Sequence, residues 1–293
     1  MPGMGKGVGV RDPFKIDGPT CISFSGGRTS AYMLWRVLQS NGGLPADALV
    51  CFANTGLEDE ATLRFVRDCA DRWAVPITWV EYRNDDKGYA VVDFDSASRN
   101  GEPFEAIIRK RKYLPNPVTR FCTSELKIRV MHKWLRDLGL STEDVPVDMM
   151  TGIRADEPSR VSKIRARGTT SESKHAWMVM PLADAGVSVG DVGAFWDAQG
   201  WGLELPSRNG RTTAGNCVLC FLKPAAQVQS LIAEKPERAV FWIKAEAMAM
   251  ASKPSGAVFR SDRPSYAAML QAAADQVDFI GYDEEAIACF CGD

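Results

Sequence analysis

Histidine is nearly absent from this chain: there are two in 293 residues, His132 and His175. Neither stands in a hydrolase-like arrangement, so a Ser/His/Asp triad has no support. Long apolar runs are also missing. None reaches the roughly 18 residues needed to cross a bilayer, and the first residues lack the basic-then-apolar layout of a secretory signal. A cytoplasmic protein without membrane contact is expected. The chain has no excess of one charge either: its net charge is −2 and its pI is near 5.9. Any polyanion must therefore be met by a local patch and not by the whole surface. There is no internal repeat, no GxxxxGK[ST] spacing and no GxGxxG, which sets aside repeat architectures, the Walker loop and the dinucleotide fingerprint.

What is present is an ordinary globular balance, 45% hydrophobic and 25% charged, with length enough for a large core. Residues 1–13 are Gly-rich without periodicity and read as a disordered leader. Residues 14–225 read as one large domain and 226–293 as a helical C-terminal extension. Eight cysteines in a reducing compartment point to metal or redox chemistry over structural disulfides.

Hydrophobic patterning predicts strands at 20–24, 48–53, 77–82 and 145–151, and helices at 29–39, 60–73, 124–138 and 189–197. Residues 85–116 read as less regular, and 200–213 as a loop before a cysteine pair. Alternation of strand and helix gives a doubly wound, mostly parallel α/β sheet. In such sheets ligands sit at the carboxyl ends of strands, so the segments after the strands at Ser25, Asn54 and Thr151 should share one edge.

The first of these segments carries the most chemistry. Ser25, Gly26 and Gly27 join an apolar strand to a helix that opens with Thr29 and Ser30. Glycines let backbone N–H groups approach an anion closely, the free N–H groups of the helix start add partial positive charge, and the hydroxyls can cap or bind. A phosphate loop is expected. For a glycine pair alone, an ordinary strand-turn-helix connection is the competing reading.

Ser25-Gly-Gly-Arg-Thr-Ser30 resembles the SGGxxS pyrophosphate loop of the adenine nucleotide alpha hydrolase (PP-loop) superfamily. Four further segments, in order, resemble the phosphoadenosine phosphosulfate (PAPS) reductase family within it: Asn54 to Glu58, Arg120 to Ile128, Thr151 to Arg160, and Pro181-Leu182 leading to Asn216-Cys217-Val218-Leu219-Cys220. The resemblance implies a Rossmann-like nucleotide fold. It implies phosphates at Ser25, Gly26, Gly27, Thr29 and Ser30, with Arg28 where many members carry lysine; a guanidinium binds two oxygens at once but donates no proton. It also implies an adenosine side at Asn54, Thr55, Gly56 and Glu58, and a second phosphate contact at Gly152, Arg154 and Arg160. Asp156 and Glu157, between those arginines, read as an ion-pair network or as magnesium ligands, with Asp156 the candidate catalytic carboxylate.

Cys122, Cys217 and Cys220 have the ligand types of an iron–sulfur cluster or a zinc site. The resemblance favours a 4Fe-4S cluster with zinc as the alternative, although Phe121-Cys122 stands where adenylylsulfate reductases carry Cys-Cys. Three-cysteine clusters occur in related tRNA cytidine thiolases; a fourth ligand could otherwise come from Cys289 or Cys291. Family reductases carry a catalytic cysteine in the C-terminal tail, which makes Cys289 and Cys291 candidates, but their surroundings do not match the family's tail motif.

Residues 99–129 hold eight Lys or Arg against three Glu, and Lys163, Arg165 and Arg167 follow Arg160. These segments read as solvated loops or as a funnel for tRNA or DNA. Three functions result. The first is ATP-dependent adenylation of an acceptor and sulfur transfer to it, the sulfur delivered through the cluster or a cysteine, with or without a sulfur-donor protein. The second is sulfonucleotide reduction, in which a thiolate attacks the sulfur of APS or PAPS and thioredoxin releases sulfite. The third is a non-catalytic nucleotide- or zinc-binding module. The SGG form of the loop favours ATP. The oligomeric state is left open.

Overall fold

The computed structural model describes residues 11–208, 211–252 and 257–275. Strand β1 (Thr20–Phe24) has Cys21, Ile22 and Phe24 buried on both faces, as a central parallel strand requires. It feeds α1 (Arg28–Asn41), which buries Ala31, Leu34, Val37 and Leu38 at helical spacing and stops at Gly42, whose N–H bonds the Leu38 carbonyl. Strand β2 (Ala48–Asn54) leads to α2 (Glu60–Trp73), capped by Asp59, which accepts the Ala61 N–H. Strand β3 (Ile77–Tyr82) follows, and then β4 (Tyr89–Val92), which pairs antiparallel with β3.

The chain then builds α3 (Glu102–Arg111), the short α4 (Phe121–Thr123), a π-helical turn (Ser124–Ile128) and α5 (Arg129–Asp137). It returns as β5 (Val147–Thr151) on the other side of β1. Next come α6 (Pro158–Arg167), β6 (Ala176–Val179), α7 (Pro181–Asp184), α8 (Val189–Asp197) and a small hairpin of β7 (Ser207–Arg208) and β8 (Arg211–Thr212). The C-terminal helices are α9 (Ala225–Glu234), α10 (Val240–Ser252) and α11 (Tyr266–Ala274).

The six-stranded sheet has the order β4-β3-β2-β1-β5-β6, parallel except at β4. The expected doubly wound α/β sheet is therefore present. The order reverses direction between β1 and β5, and that crevice is where such folds place ligands.

Several elements go beyond what the sequence pattern predicts, among them the β7–β8 hairpin inside the expected 200–213 loop. β4 and β6 are four-residue edge strands, too short for an alternation to register. Helix α6 buries only Val161 and Ile164, so its apolar stripe is thin. Helix α3 carries Phe104, Ile107 and Ile108 at helical spacing, but its three-residue basic end resembles a solvated loop. The main core cluster runs from the sheet to the C-terminal helices, where Phe104 packs on Phe241, Trp242 and Phe259, and a small second cluster joins Ile153, Val161, Ile164 and Met180. No described helix is long and apolar enough to cross a membrane.

A buried polar group joins α5 to the loop before β6. His132, 1% exposed, meets the Thr170 hydroxyl through Nε2 at 2.9 Å and the Ser141 hydroxyl through Nδ1 at 3.3 Å. Burial, with Arg136 adding to it, lowers the imidazole pKa from 6.5 to about 4, while Glu172 opposes. A folded pKa below the unfolded one means that the unfolded chain binds the proton first as pH falls. The contribution of His132 is thus complete above about pH 6.5 and is lost as pH falls toward 4. Between pH 7.5 and 5 that loss should be about 2 kcal/mol. Urea melts at both pH values should show it in the wild type, and His132→Gln should flatten the difference.

Candidate functional site

The loop between β1 and α1 is closed by its own side chains. The Ser25 N–H and hydroxyl both meet Ser30 Oγ, at 3.1 and 2.9 Å, and Ser30 Oγ donates to the Gly27 carbonyl at 3.0 Å. Gly26 has φ +76°, and a Cβ there would stand 2.7 Å from Thr62 Cγ2 and 3.2 Å from Phe52 and Val66 side-chain atoms. Two things therefore require glycine at once, the left-handed backbone and the close approach of α2.

The end of β5 meets the same helix start. A Cβ on Gly152 would lie 3.2 Å from Ser30 Cα, so its lack of a side chain lets the two segments touch. From α8, Trp196 Nε1 donates to the Arg28 carbonyl at 2.9 Å and fixes the first turn of α1.

Between the ends of β1 and β5 lies a cavity of 480 Å³, a volume that fits a nucleotide. Ser25, Ser30 and Gly152 line one part of it, and Arg120, Lys127 and Arg167 supply its cations. Hydroxyls of Thr123, Ser124 and Thr170 and the apolar side chains of Met131, Met149 and Met178 complete much of the wall. No Asp or Glu is among the described residues that line it. The π-helical turn at Ser124–Ile128 places Ser124 and Lys127 on this wall, a distortion often found at binding sites.

The other expected site residues are placed as follows. Arg28 turns away from the cavity, donating to Ser207 Oγ at 3.0 Å and to the Leu203 carbonyl at 3.4 Å. Thr29 accepts from Arg154 at 3.0 Å. Arg154, 5% exposed, also donates through Nε to Asp156 at 2.9 Å and lies 3.8 Å from Glu157. Glu157 pairs with Arg160 as well, and Asp156 accepts the Val189 N–H at 3.2 Å. Asp156 and Glu157 thus sit in an ion-pair network tying the start of α6 to α1 and α8.

Asn54 is fully buried. It donates to Glu81 at 2.6 Å and to the Ser98 carbonyl at 2.9 Å. The Glu58 carboxylate accepts the Thr55 N–H and hydroxyl and the Leu57 N–H, and Gly56 bonds backbone to backbone with Gly101. These four residues shape the β2–α2 turn beside the cavity without lining it.

That turn holds the cysteine loop. Glu58 bridges to Cys217, the Val218 N–H donates to the Leu57 carbonyl at 2.9 Å, and Thr55 Oγ1 lies 3.3 Å from Cys217 Sγ. Lys223 Nζ donates to the Gly215 and Cys217 carbonyls, and the Tyr266 hydroxyl from α11 donates to the Leu219 carbonyl at 2.6 Å.

Burial, with the Glu58 carboxylate second, pushes the Cys217 thiol well above its ordinary range, partly opposed by Lys127. Metal ligation requires thiolates. Among the described residues no three His, Cys, Asp or Glu side chains are gathered to hold a metal ion. Cys122, Cys217 and Cys220 are therefore not gathered into a closed ligand set among the described residues. Cys289 and Cys291 lie outside the described residues. Cys21, Cys51 and Cys69 are buried core thiols, as their strand and helix positions predict.

Of the cavity's polar residues, Arg120 and Lys127 are visible in the sequence as members of a basic segment and of the Arg120–Ile128 stretch that carries the resemblance, without an assigned role, and Arg167 only as a member of a basic segment. Thr170 and Ser124 carry no signal of their own, because adjacency across the β1–β5 crevice decides their place.

No protein-family model matches the chain. It is 29% identical over 219 residues to the uncharacterized nin region protein ORF290 of Escherichia phage lambda, spanning 71% of this chain and 67% of that protein. Among solved structures it is similar to the phosphoadenylyl-sulfate (PAPS) reductase from Candida auris in a phosphate complex, with a TM-score of 0.39 and 12% identity, over 62% of this chain and 72% of the other.

Proposed function

We propose that the chain is an enzyme that binds an adenine nucleotide in the β1–β5 cavity and uses ATP to adenylate an acceptor for sulfur transfer. The observation that carries this reading is the meeting of the Ser25–Ser30 loop and Gly152 with Arg120, Lys127 and Arg167 around one cavity whose remaining wall is largely apolar. Backbone N–H groups at the start of α1 and the Ser25 and Ser30 hydroxyls would hold phosphate oxygens. The three cations would offset their charge, and the methionine wall suits a nucleobase. In this reading an acceptor oxygen attacks the α phosphorus and pyrophosphate leaves. A sulfur nucleophile from a donor protein then displaces AMP.

A second reading, sulfonucleotide reduction, is favoured by one observation. The described lining holds cations and no carboxylate, a set suited to an anion bound without magnesium.

Calorimetric titration with ATP, APS and PAPS, with and without magnesium, separates the two. Tighter binding of ATP by at least about tenfold supports adenylation, and tighter binding of a sulfonucleotide overturns it. Lys127→Met should weaken the preferred nucleotide about 10- to 100-fold under either reading, the loss of one charge-assisted contact.

A further inference from the structure

Positive charge is concentrated around the cavity mouth. Residues 109–129 carry seven Lys or Arg and one Glu, and residues 158–175 carry five and one, in a chain whose net charge is −2. The fold makes these separate segments one surface. Arg129 of the first bonds Glu172 of the second at 2.8 Å, and Arg120 and Arg167, one from each, line the same cavity.

Some of this charge is used internally. Glu125 takes Arg111 and Arg129, Glu105 takes Arg109, Glu157 takes Arg160, and Asp184 takes Arg165. Lys112, Lys163 and Lys174 are exposed and make no ion pair among the described residues. Within the first segment the turn at 116–119, pinned by Asn116 Oδ1 accepting the Val118 and Thr119 N–H groups, presents Val118 at 93% exposure on the cavity rim.

A mononucleotide in the cavity is served by the cations that line it. The exposed cations outside the cavity belong to the same two segments, and positive charge in excess of what a mononucleotide needs fits a polyanion. The cavity has room for about one nucleotide, which a base stacked in a duplex cannot enter without leaving its partner. An exposed apolar tip beside the charges suits contact with an unpaired base.

We propose that this surface binds single-stranded nucleic acid, the backbone running over the 109–129 and 158–175 segments with one nucleotide presented to the cavity. The inference rests on the proposed function only in making that strand the acceptor; the binding itself does not depend on it.

The test is fluorescence anisotropy of the full chain with labelled 12-mer single-stranded RNA and DNA, the matching duplexes, and phosphatidylserine vesicles as competitor, all without added nucleotide. Single strands should bind at 50 mM NaCl with a log–log salt slope near about −3, corresponding to about four phosphate contacts. The triple variant Lys112→Glu, Lys163→Glu, Lys174→Glu should bind at least about 30-fold more weakly with a slope about 2 shallower. Lys235→Glu, exposed at the end of α9 and outside both basic segments and the cavity lining, should leave binding unchanged. Absence of oligonucleotide binding at 50 mM salt, equal or tighter binding of duplex, capture by the vesicles alone, or a triple variant that binds like the wild type would each overturn the proposal. Oligonucleotide binding by a protein that binds no ATP would leave this inference standing and remove the adenylation reading. The converse result would do the opposite.

Discussion

Gly26→Ala should abolish nucleotide binding and lower stability by about 2–4 kcal/mol, the combined cost of a left-handed backbone for an L-residue and of overpacking a closed core. The backbone at this position has φ +76°, and the added methyl would meet Thr62 Cγ2 at 2.7 Å with Phe52 and Val66 behind it at 3.2 Å. Helix α2 cannot yield easily, because Val66 is buried against the sheet. The loop must therefore move. Its Ser25–Ser30 hydrogen bonds are 2.9–3.1 Å long and would break first.

Gly42→Ala is the control. It has φ +71° but nothing within 4 Å of its would-be Cβ, so only the conformational cost of about 1 kcal/mol applies. Thermal melts should separate the two variants by several degrees. A Gly26→Ala protein that binds ATP or a sulfonucleotide with wild-type affinity would remove this loop from the site.

The same loop marks how far the sequence reaches. Strands β1 and β3 and helix α2 have the boundaries that their apolar spacing predicts, because each buries a strong stripe or a continuous run. The phosphate-loop reading rests on local chemistry, and local chemistry is what a sequence displays. Arg28 shows the limit. It stands beside the glycines, yet its guanidinium reaches Ser207 and Leu203, some 175 positions away, and no local pattern announces that contact.

Asn54, Thr55 and Glu58 show a second limit. Their residue types suit ribose hydroxyls, and the same types suit the closure of a turn; burial decides which use is made of them. The cations at Arg120, Lys127 and Arg167 register in the sequence as charge density, and only the placement of β5 beside β1 brings them to one cavity.

Arg154→Met should cost about 3–5 kcal/mol of stability, the range for breaking a buried ion pair by removing one partner. Arg154 is 5% exposed and holds three acceptors together: Thr29 Oγ1 at 3.0 Å, Asp156 at 2.9 Å and, more distantly, Glu157. Methionine fills much of the volume but leaves the Asp156 and Glu157 carboxylates with less compensation and Thr29 without its donor. A drop in Tm of about 10 °C is expected for a chain of this size.

The family resemblance assigns this arginine to phosphate, and that role alone would leave Tm near the wild-type value while raising the nucleotide Kd about 10- to 100-fold, the loss of one charge-assisted contact. A structural tie predicts the reverse order of effects: a large loss of stability, and a loss of affinity only as far as the first turn of α1 loosens.

Asp156→Asn sharpens the distinction. In a double-mutant cycle the two substitutions should couple by about 1–3 kcal/mol in stability, because the Arg154–Asp156 charge pair is broken in either single variant. A coupling near zero, with Tm unchanged in Arg154→Met, would free Arg154 from the network and return it to the phosphate. The cycle therefore decides whether the junction of β5 and α6 braces the loop from behind or reaches into the cavity itself.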